Sequence, residues 1–283
     1  MPGDIKRTDL TRFYQEVGER YPEEEIVYRD LRGRLRKQFI LTPLVQNASG
    51  KFLDLGCNVG VYLEHFHSEQ AVGVDIAVAA LAHARHRCQS LPQATRFYFI
   101  AGNVENLDFL RDIQFDSILC SEVLEHLFHP EKVLVAIARL LKPGGIALIT
   151  TPNYKKQKPT WVPLGELKSS VSGDQYFHTA FRPEELSAMA IAARLHVLTA
   201  GTLEWQVKYA AKIPALFFLL LRWLNRHSFA SDRFEHLNQR LFEVFTLACY
   251  YFAHYTSIEK LLRPWIRAGV RSYVLLTRPL DSQ

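Results

Sequence analysis

Short apolar runs alternate with helically spaced stretches through most of the chain. Phe52–Leu55, Ala71–Val74, Arg96–Ile100, Phe115–Cys120 and Ile146–Thr150 have the length and composition of strands, and Leu195–Thr199 and Ser272–Thr277 add a sixth and a seventh. Between them the period turns helical: Val61–His67, the alanine-rich residues 77–88, Pro130–Leu141, and a helix entered at Pro183. Ahead of the first strand, residues 5–45 read as helix, with Phe13, Val17, Tyr21, Leu31, Leu35 and Phe39 at spacings of three to four. Strand and helix in alternation predict an α/β fold. Tyr154 to Asp174, rich in Lys, Pro, Gly and Ser, reads as a loop in which Trp161, or Tyr176 just beyond it, could line an acceptor pocket. About seventy residues then separate the last two strands, far more than a hairpin needs. They carry helical stripes at Ile213, Leu216, Phe217, Leu220 and Leu224, at Phe234, Leu237, Leu241, Phe245, Ala248 and Phe252, and from Ile258 to Ile266, interrupted at Pro264 and stopped by Gly269.

The first apolar run opens directly into a turn: Phe52-Leu53-Asp54-Leu55-Gly56-Cys57-Asn58-Val59-Gly60. Gly56 and Gly60 supply backbone conformations that a side chain resists, so the strand ends here and a nucleotide-type ligand site at the carboxyl ends of the strands is expected. A dinucleotide fold wants G-x-G-x-x-G to seat a pyrophosphate. Here Asn58 stands where a second glycine would allow the closest approach, and Asp54 would repel a phosphate but suits a cation. The second run ends at Asp75, where an acid can accept hydrogen bonds from vicinal ribose hydroxyls.

These residues resemble motifs I and II of the class I S-adenosylmethionine-dependent methyltransferases, the small-molecule type that includes ubiquinone-type and polysaccharide-cluster enzymes. The resemblance covers roughly residues 50–153. It includes Ser121-Glu122-Val123-Leu124-Glu125-His126, similar to the family's V-L-E-H segment, and Leu141-Lys142-Pro143-Gly144-Gly145 before the fifth strand. It implies a Rossmann-like, mostly parallel seven-stranded sheet whose last strand inserts antiparallel, with S-adenosylmethionine as cofactor. Asp54 would lie near the methionine amino group, with Gly56, Cys57, Asn58 and Gly60 around the ligand. Asp75 would hold the ribose, Ile76 would pack on the adenine, and Asn103, with Val104 beside it, would take the place of the acid that accepts from the adenine amino group. Ser121 would stand beside the sulfonium. N-terminal helices of the family cover the cofactor, so Arg34 is a candidate partner of its carboxylate. The organisation expected is a lid at 1–45, a core at 46–203, a helical insertion at 204–269, and the last strand of the core with a tail at 270–283.

The reaction expected is methyl transfer to an oxygen, with nitrogen and carbon as the lesser options, of a small-molecule or lipid-linked acceptor. His126, His178 and Glu122 are the candidate catalytic groups, since an imidazole can take a proton near neutral pH. Glu122, Glu125, His126 and His129 also form an acid-rich cluster, but positions 125 and 126 of a helix point in different directions, and no metal is expected. His83, Arg85, His86 and Arg87 read as a wet helix face. No D-P-P-Y, N-P-P-Y or Pro-Cys pair is present to handle a nucleobase, so nucleic acid is not an expected partner. A nicotinamide-dependent oxidoreductase and a non-catalytic cofactor-binding scaffold are the alternatives.

Charge changes the picture at the C-terminal end only. Residues 1–200 hold 23 Lys+Arg and 23 Asp+Glu, whereas 201–283 hold 11 and 6 and account for the net charge of +5. The same part carries Trp205, Trp223 and Trp265. A basic, aromatic-rich segment predicts an acidic or amphipathic partner surface. The apolar run Ile213–Leu221 is too short to span a bilayer, which needs about twenty residues. The insertion is therefore expected either to build an acceptor pocket or dimer contact, or to lie peripherally on a membrane. The four cysteines have no paired spacing and the first ten residues lack an apolar core, so a cytoplasmic protein is expected, with any membrane contact at the inner face.

Overall fold

The computed structural model describes residues 30–46, 50–67, 69–91, 96–110, 115–158, 161–163, 175–229 and 231–280. Its strands are β1 (Lys51–Leu55), β2 (Gln70–Asp75), β3 (Arg96–Ala101), β4 (Phe115–Ser121), β5 (Leu141–Pro152), β6 (Trp161–Pro163), β7 (Gln175–Phe177), β8 (His196–Leu203) and β9 (Arg271–Thr277). Seven of them form one sheet in the order β3-β2-β1-β4-β5-β9-β8. β1 to β5 pair in parallel, and β9 runs antiparallel against β5. Central β1 is buried at four of its five positions, the pattern of a parallel strand covered on both faces. Leu53 pairs with Val72 on one side and Ile118 on the other at the centre of the core.

The helices α1 (Leu31–Gln46), α2 (Val78–Gln89), α3 (Pro130–Leu140) and α4 (Pro183–Ala192) accompany the strands. α3 shows how pattern becomes packing: Pro130 starts it, and Val133, Leu134, Ile137 and Leu140 fall on the one stripe that is buried. α2 packs on β2 and β3, and α4 on β9.

Three local expectations are revised. Val61–His67 contains only a single 3-10 turn, Leu63–His65. The stretch read as a loop, Tyr154 to Asp174, holds β6, which pairs antiparallel with β7 just beyond it, Trp161 opposite Phe177. β5 starts at Leu141, ahead of the glycines, because Asp116 anchors it: both Asp116 carboxylate oxygens lie 2.8 Å from Lys142 Nζ, and one accepts from the Lys51 backbone N–H at 2.7 Å.

By contacts the chain forms two units, residues 38–201 with 271–280, and residues 30–37 with 202–270. Residues before 30, including the first 29 of the 45 in the expected lid, lie outside the described residues. The second unit holds α5 (Val207–Ala210), α6 (Lys212–Leu224), α7 (Asp232–Tyr255) and α8 (Ile258–Leu262), around a small core of Leu31, Val207 and Ala210. Ser231 caps α7 by accepting from the Phe234 N–H at 3.4 Å. Asn225 and Ser231 exchange two hydrogen bonds of 3.0 Å across the turn between α6 and α7. Among the described residues, no helix is long and apolar enough to cross a membrane.

Candidate active site

The turn after β1 bends sharply because Gly56, Asn58 and Gly60 all take left-handed backbone angles, φ 72°, 43° and 76°. Gly56 and Cys57 both donate their N–H groups to the Val74 carbonyl, at 2.8 and 3.1 Å, which pins the turn to the end of β2. A Cβ at Gly56 would stand 2.3 Å from Val123 Cγ2, so this glycine is needed for packing as well as for its angle.

Asp75 closes β2 and faces this turn. One carboxylate oxygen accepts from Asn58 N–H and the other from Ala77 N–H, both at 2.8 Å. Burial raises its pKa above the usual carboxylate range, and the backbone donors offset part of that. The Ile76 N–H is a third backbone donor to the same carboxylate, and since a carboxylate has about four acceptor positions, capacity for one further hydroxyl is left. Asn58 Oδ1 is buried and meets no donor among the described residues. Asp54 is buried within β1, Val104 is buried and Ile76 is half-buried. Asn103 Oδ1 accepts from Glu105 N–H at 2.9 Å, so the carbonyl expected to face an adenine amino group is already in use once.

Arg87 is a correction to the reading of its helix as a wet face. Its Nε donates to the Val59 carbonyl at 3.1 Å and its Nη1 to Glu64 at 3.0 Å, bracing the far side of the turn. Burial works to raise the Glu64 pKa, but hydrogen bonds from His65 and Arg87 outweigh it and hold the carboxyl below its ordinary range. Arg34 lies in the helical unit, on an exposed part of α1.

On the other side of β1, β4 delivers Ser121, whose hydroxyl lies 2.9 Å from that of Thr150. Glu122 takes a left-handed φ of 57°. Its carboxylate accepts from Thr150 at 3.1 Å and meets Arg271 Nε at 2.5 Å. The acid offered by the sequence as a proton acceptor is therefore half of an ion pair, with a partner from the last strand that the sequence gives no local reason to expect.

His126 closes a 3-10 turn, Leu124–His126. The Thr179 N–H donates to the Glu125 carbonyl at 2.8 Å, and this tie brings His178 alongside: the two imidazole rings are 5.0 Å apart and nearly edge to face. Burial lowers the His178 pKa, and the nearby Arg271 works in the same direction against the opposing pull of Glu122. Glu125, His126 and His178 each bring one donor atom within 4.8 Å of the others. His129, placed in this cluster by sequence, is exposed and pairs with Glu131 at 3.2 Å instead.

A sheet of this strand order with its last strand reversed, a left-handed turn after β1 and a carboxylate closing β2 make up the Rossmann-like fold of the class I S-adenosylmethionine-dependent methyltransferases. Residues 53–149 match the family described as a methyltransferase domain. The chain is 29% identical over 195 residues to a ubiquinone biosynthesis O-methyltransferase of Vibrio atlanticus, covering 66% of this chain and 79% of that protein. Its fold is similar to that of the [4+2]-cyclase SpnF (TM-score 0.56, 16% identity, 87% of this chain and 80% of that one). A putative sarcosine dimethylglycine methyltransferase from Galdieria sulphuraria is similar in fold too (TM-score 0.54, 18% identity, 96% and 98%). The nicotinamide alternative is set aside by the family match. The residues present fit the cofactor of this class, with an acceptor position left for a hydroxyl at Asp75 and a buried amide oxygen at Asn58 that meets no donor among the described residues.

Proposed function

We propose that this enzyme methylates an oxygen of a small-molecule or lipid-linked acceptor, with His178, and His126 beside it, receiving the proton that the hydroxyl gives up. The observation that carries this reading is the pair of adjoining imidazoles next to the end of β4, one of them kept neutral by burial. A neutral imidazole is the form able to accept a proton. Relatives named for O-methylation in ubiquinone biosynthesis support oxygen as the acceptor atom.

When bound, S-adenosylmethionine supplies a methyl group already activated as a sulfonium. The protein's share is to hold and align. Asp75 grips the ribose, Arg87 keeps the turn in place, and the Glu122–Arg271 pair with Thr150 fixes the floor on which the acceptor rests. Alignment alone is worth several kcal/mol of barrier, up to about 7–11 in favourable cases. Arg34 is proposed to meet the cofactor carboxylate, and the unit containing 204–269 to rest peripherally on a membrane.

The test is transfer of a labelled methyl group from S-adenosylmethionine to a lipid extract of the host, followed by His178→Ala. Label in an alkali-stable ether, lost with the histidine at neutral pH and partly restored at higher pH, is the expected result; label on nitrogen or carbon overturns the oxygen assignment. The same trio of donor atoms, Glu125, His126 and His178, favours a second reading in which a divalent cation sits there and binds the acceptor oxygen. Calorimetric titration with magnesium or zinc separates the two: binding lost in His178→Ala supports the cation, and no heat from either metal removes it.

A further inference from the structure

The helical unit exposes apolar surface where a folded protein ordinarily hides it. α6 and α7 lie antiparallel, joined by ring contacts between Phe217 and Phe245 and between Phe218 and Phe242. They are also tied by the Asn238 amide donating to the Phe218 carbonyl at 3.0 Å. Their inward sides are accounted for by Pro214, Asn238, Thr246 and Ala253, all buried. On their outward sides, Leu216 is 69% exposed, Trp223 55%, Val244 65% and Phe252 64%. Leu237, Leu241, Val244, Phe252 and Tyr255 recur at helical spacing, so α7 carries one continuous apolar stripe turned to solvent. Exposed large apolar residues of the sheet unit, such as Tyr98, Val135 and Ile191, are scattered by comparison, and single ones are ordinary. A contiguous plate over two helices calls for a partner.

The charges around the plate say which partner. Residues 202–270 hold nine Lys+Arg and five Asp+Glu. Of the five acids, Glu204 is buried, Glu235 is paired with Arg222 at 3.2 Å and Glu259 meets His254 at 2.9 Å. Most of the cations stand at the two ends of the hairpin, Arg222, Arg226 and Arg233 near the α6–α7 turn and Lys212, Lys260 and Arg263 near the other end, with Arg240 between them; even with Asp232 and Glu235 counted at the turn and Glu259 at the other end, both ends stay net positive. A second copy laid face to face, in either direction, would set cation against cation. At 13 residues α6 is about 20 Å long, too short to cross a bilayer but suited to lying along one.

We infer that the outward faces of α6 and α7 dock in the plane of an anionic lipid surface, with Leu216, Phe217, Trp223, Leu241, Val244 and Phe252 in the acyl boundary and the flanking arginines at the phosphates. This deepens the peripheral contact proposed above, on which it rests, by naming the face and the charge of the lipid.

The experiment is flotation of the full-length enzyme with vesicles of phosphatidylcholine alone and of phosphatidylcholine mixed with phosphatidylglycerol. The expected result is flotation on the anionic vesicles only, weakening as salt screens the head groups. Arg226→Gln and Arg233→Gln should each reduce binding by roughly fivefold, as a near-surface cation is worth on the order of 1 kcal/mol. Leu216→Asp and Val244→Asp, at positions already in water, should abolish flotation while helical content and S-adenosylmethionine binding stay unchanged. Equal flotation on both vesicle types overturns the anionic assignment. A wild-type dimer in lipid-free solution that Val244→Asp converts to monomer overturns it in favour of a second copy. If neither vesicle floats the enzyme but labelled methyl still reaches a lipid-linked acceptor, the docking inference fails and the reaction stands; if it floats but no oxygen acceptor is ever labelled, the reaction fails and the docking face stands.

Discussion

Replacing Gly56 with alanine probes whether the cofactor turn and the acceptor side of the site are mechanically joined. The added Cβ would sit 2.3 Å from Val123 Cγ2, at a φ of +72° that L residues resist. The left-handed angle costs about 1–2 kcal/mol, and overpacking against a branched side chain costs about 1–3 more, so Gly56→Ala is expected to destabilise by about 2–5 kcal/mol. Val123 is the residue between Glu122 and Leu124, so the push is delivered to the segment that carries the ion pair and His126. Val123→Ala removes the struck methyl groups and, being only partly buried, costs about 1 kcal/mol by itself. The double variant should then fall short of the sum of the two singles by about 1–3 kcal/mol, because the clash disappears and only the backbone cost remains. Urea unfolding followed by far-ultraviolet circular dichroism measures all three; tryptophan emission would mislead, since Trp205, Trp223 and Trp265 all report on the helical unit. Additivity within about 0.5 kcal/mol would refute the argument that this contact is what demands glycine.

Asp75→Ala should weaken S-adenosylmethionine binding by at least about tenfold, since each hydrogen bond to a charged group is worth roughly 1.5–3 kcal/mol; an unchanged Kd by calorimetry removes Asp75 from the ribose. The lowered Glu64 pKa has a definite sign: its stabilising contribution is fully present above the ordinary value of 4.5 and is lost as pH falls through the native value. Arg87→Met should therefore flatten the acid limb of the stability profile, and a limb identical to wild type by pH-dependent thermal melting counts against the brace. Asp116→Ala leaves the Lys51 N–H without its acceptor and should cost about 1–3 kcal/mol. Lys142→Met removes only a part-exposed ion pair and should cost less than about 1 kcal/mol; equal losses in chemical denaturation would show that Asp116 acts through the lysine alone.

Strand positions were legible because parallel strands buried on both faces must be near-continuous apolar runs, and β1, β2 and β4 are. The turn after β1 was legible because two glycines and an asparagine are the residues that tolerate left-handed angles. The ribbon of β6 and β7 was not, since strands of three residues leave no periodicity to detect. Arg87 was misread for a different reason. Its neighbours His83 and His86 are exposed, and only the return of the chain at Val59 makes position 87 an inner one. Glu122 carried the right local signal, an acid at the carboxyl end of β4, but its chemistry is decided by Arg271, 149 positions along the chain, which no local pattern announces.

The position of β9 has a consequence for biosynthesis. It lies between β5 and β8, so a strand made after β8 is the wedge that joins β8 to the rest of the sheet. A ribosome-bound chain can assemble the first five strands, yet β8 has no neighbour to pair with until Arg271–Thr277 emerges, and Glu122 has no counter-ion until the same moment. A chain cut before residue 271 would lack β9, leave β8 without its neighbour in the sheet and lose the ion pair, all at once.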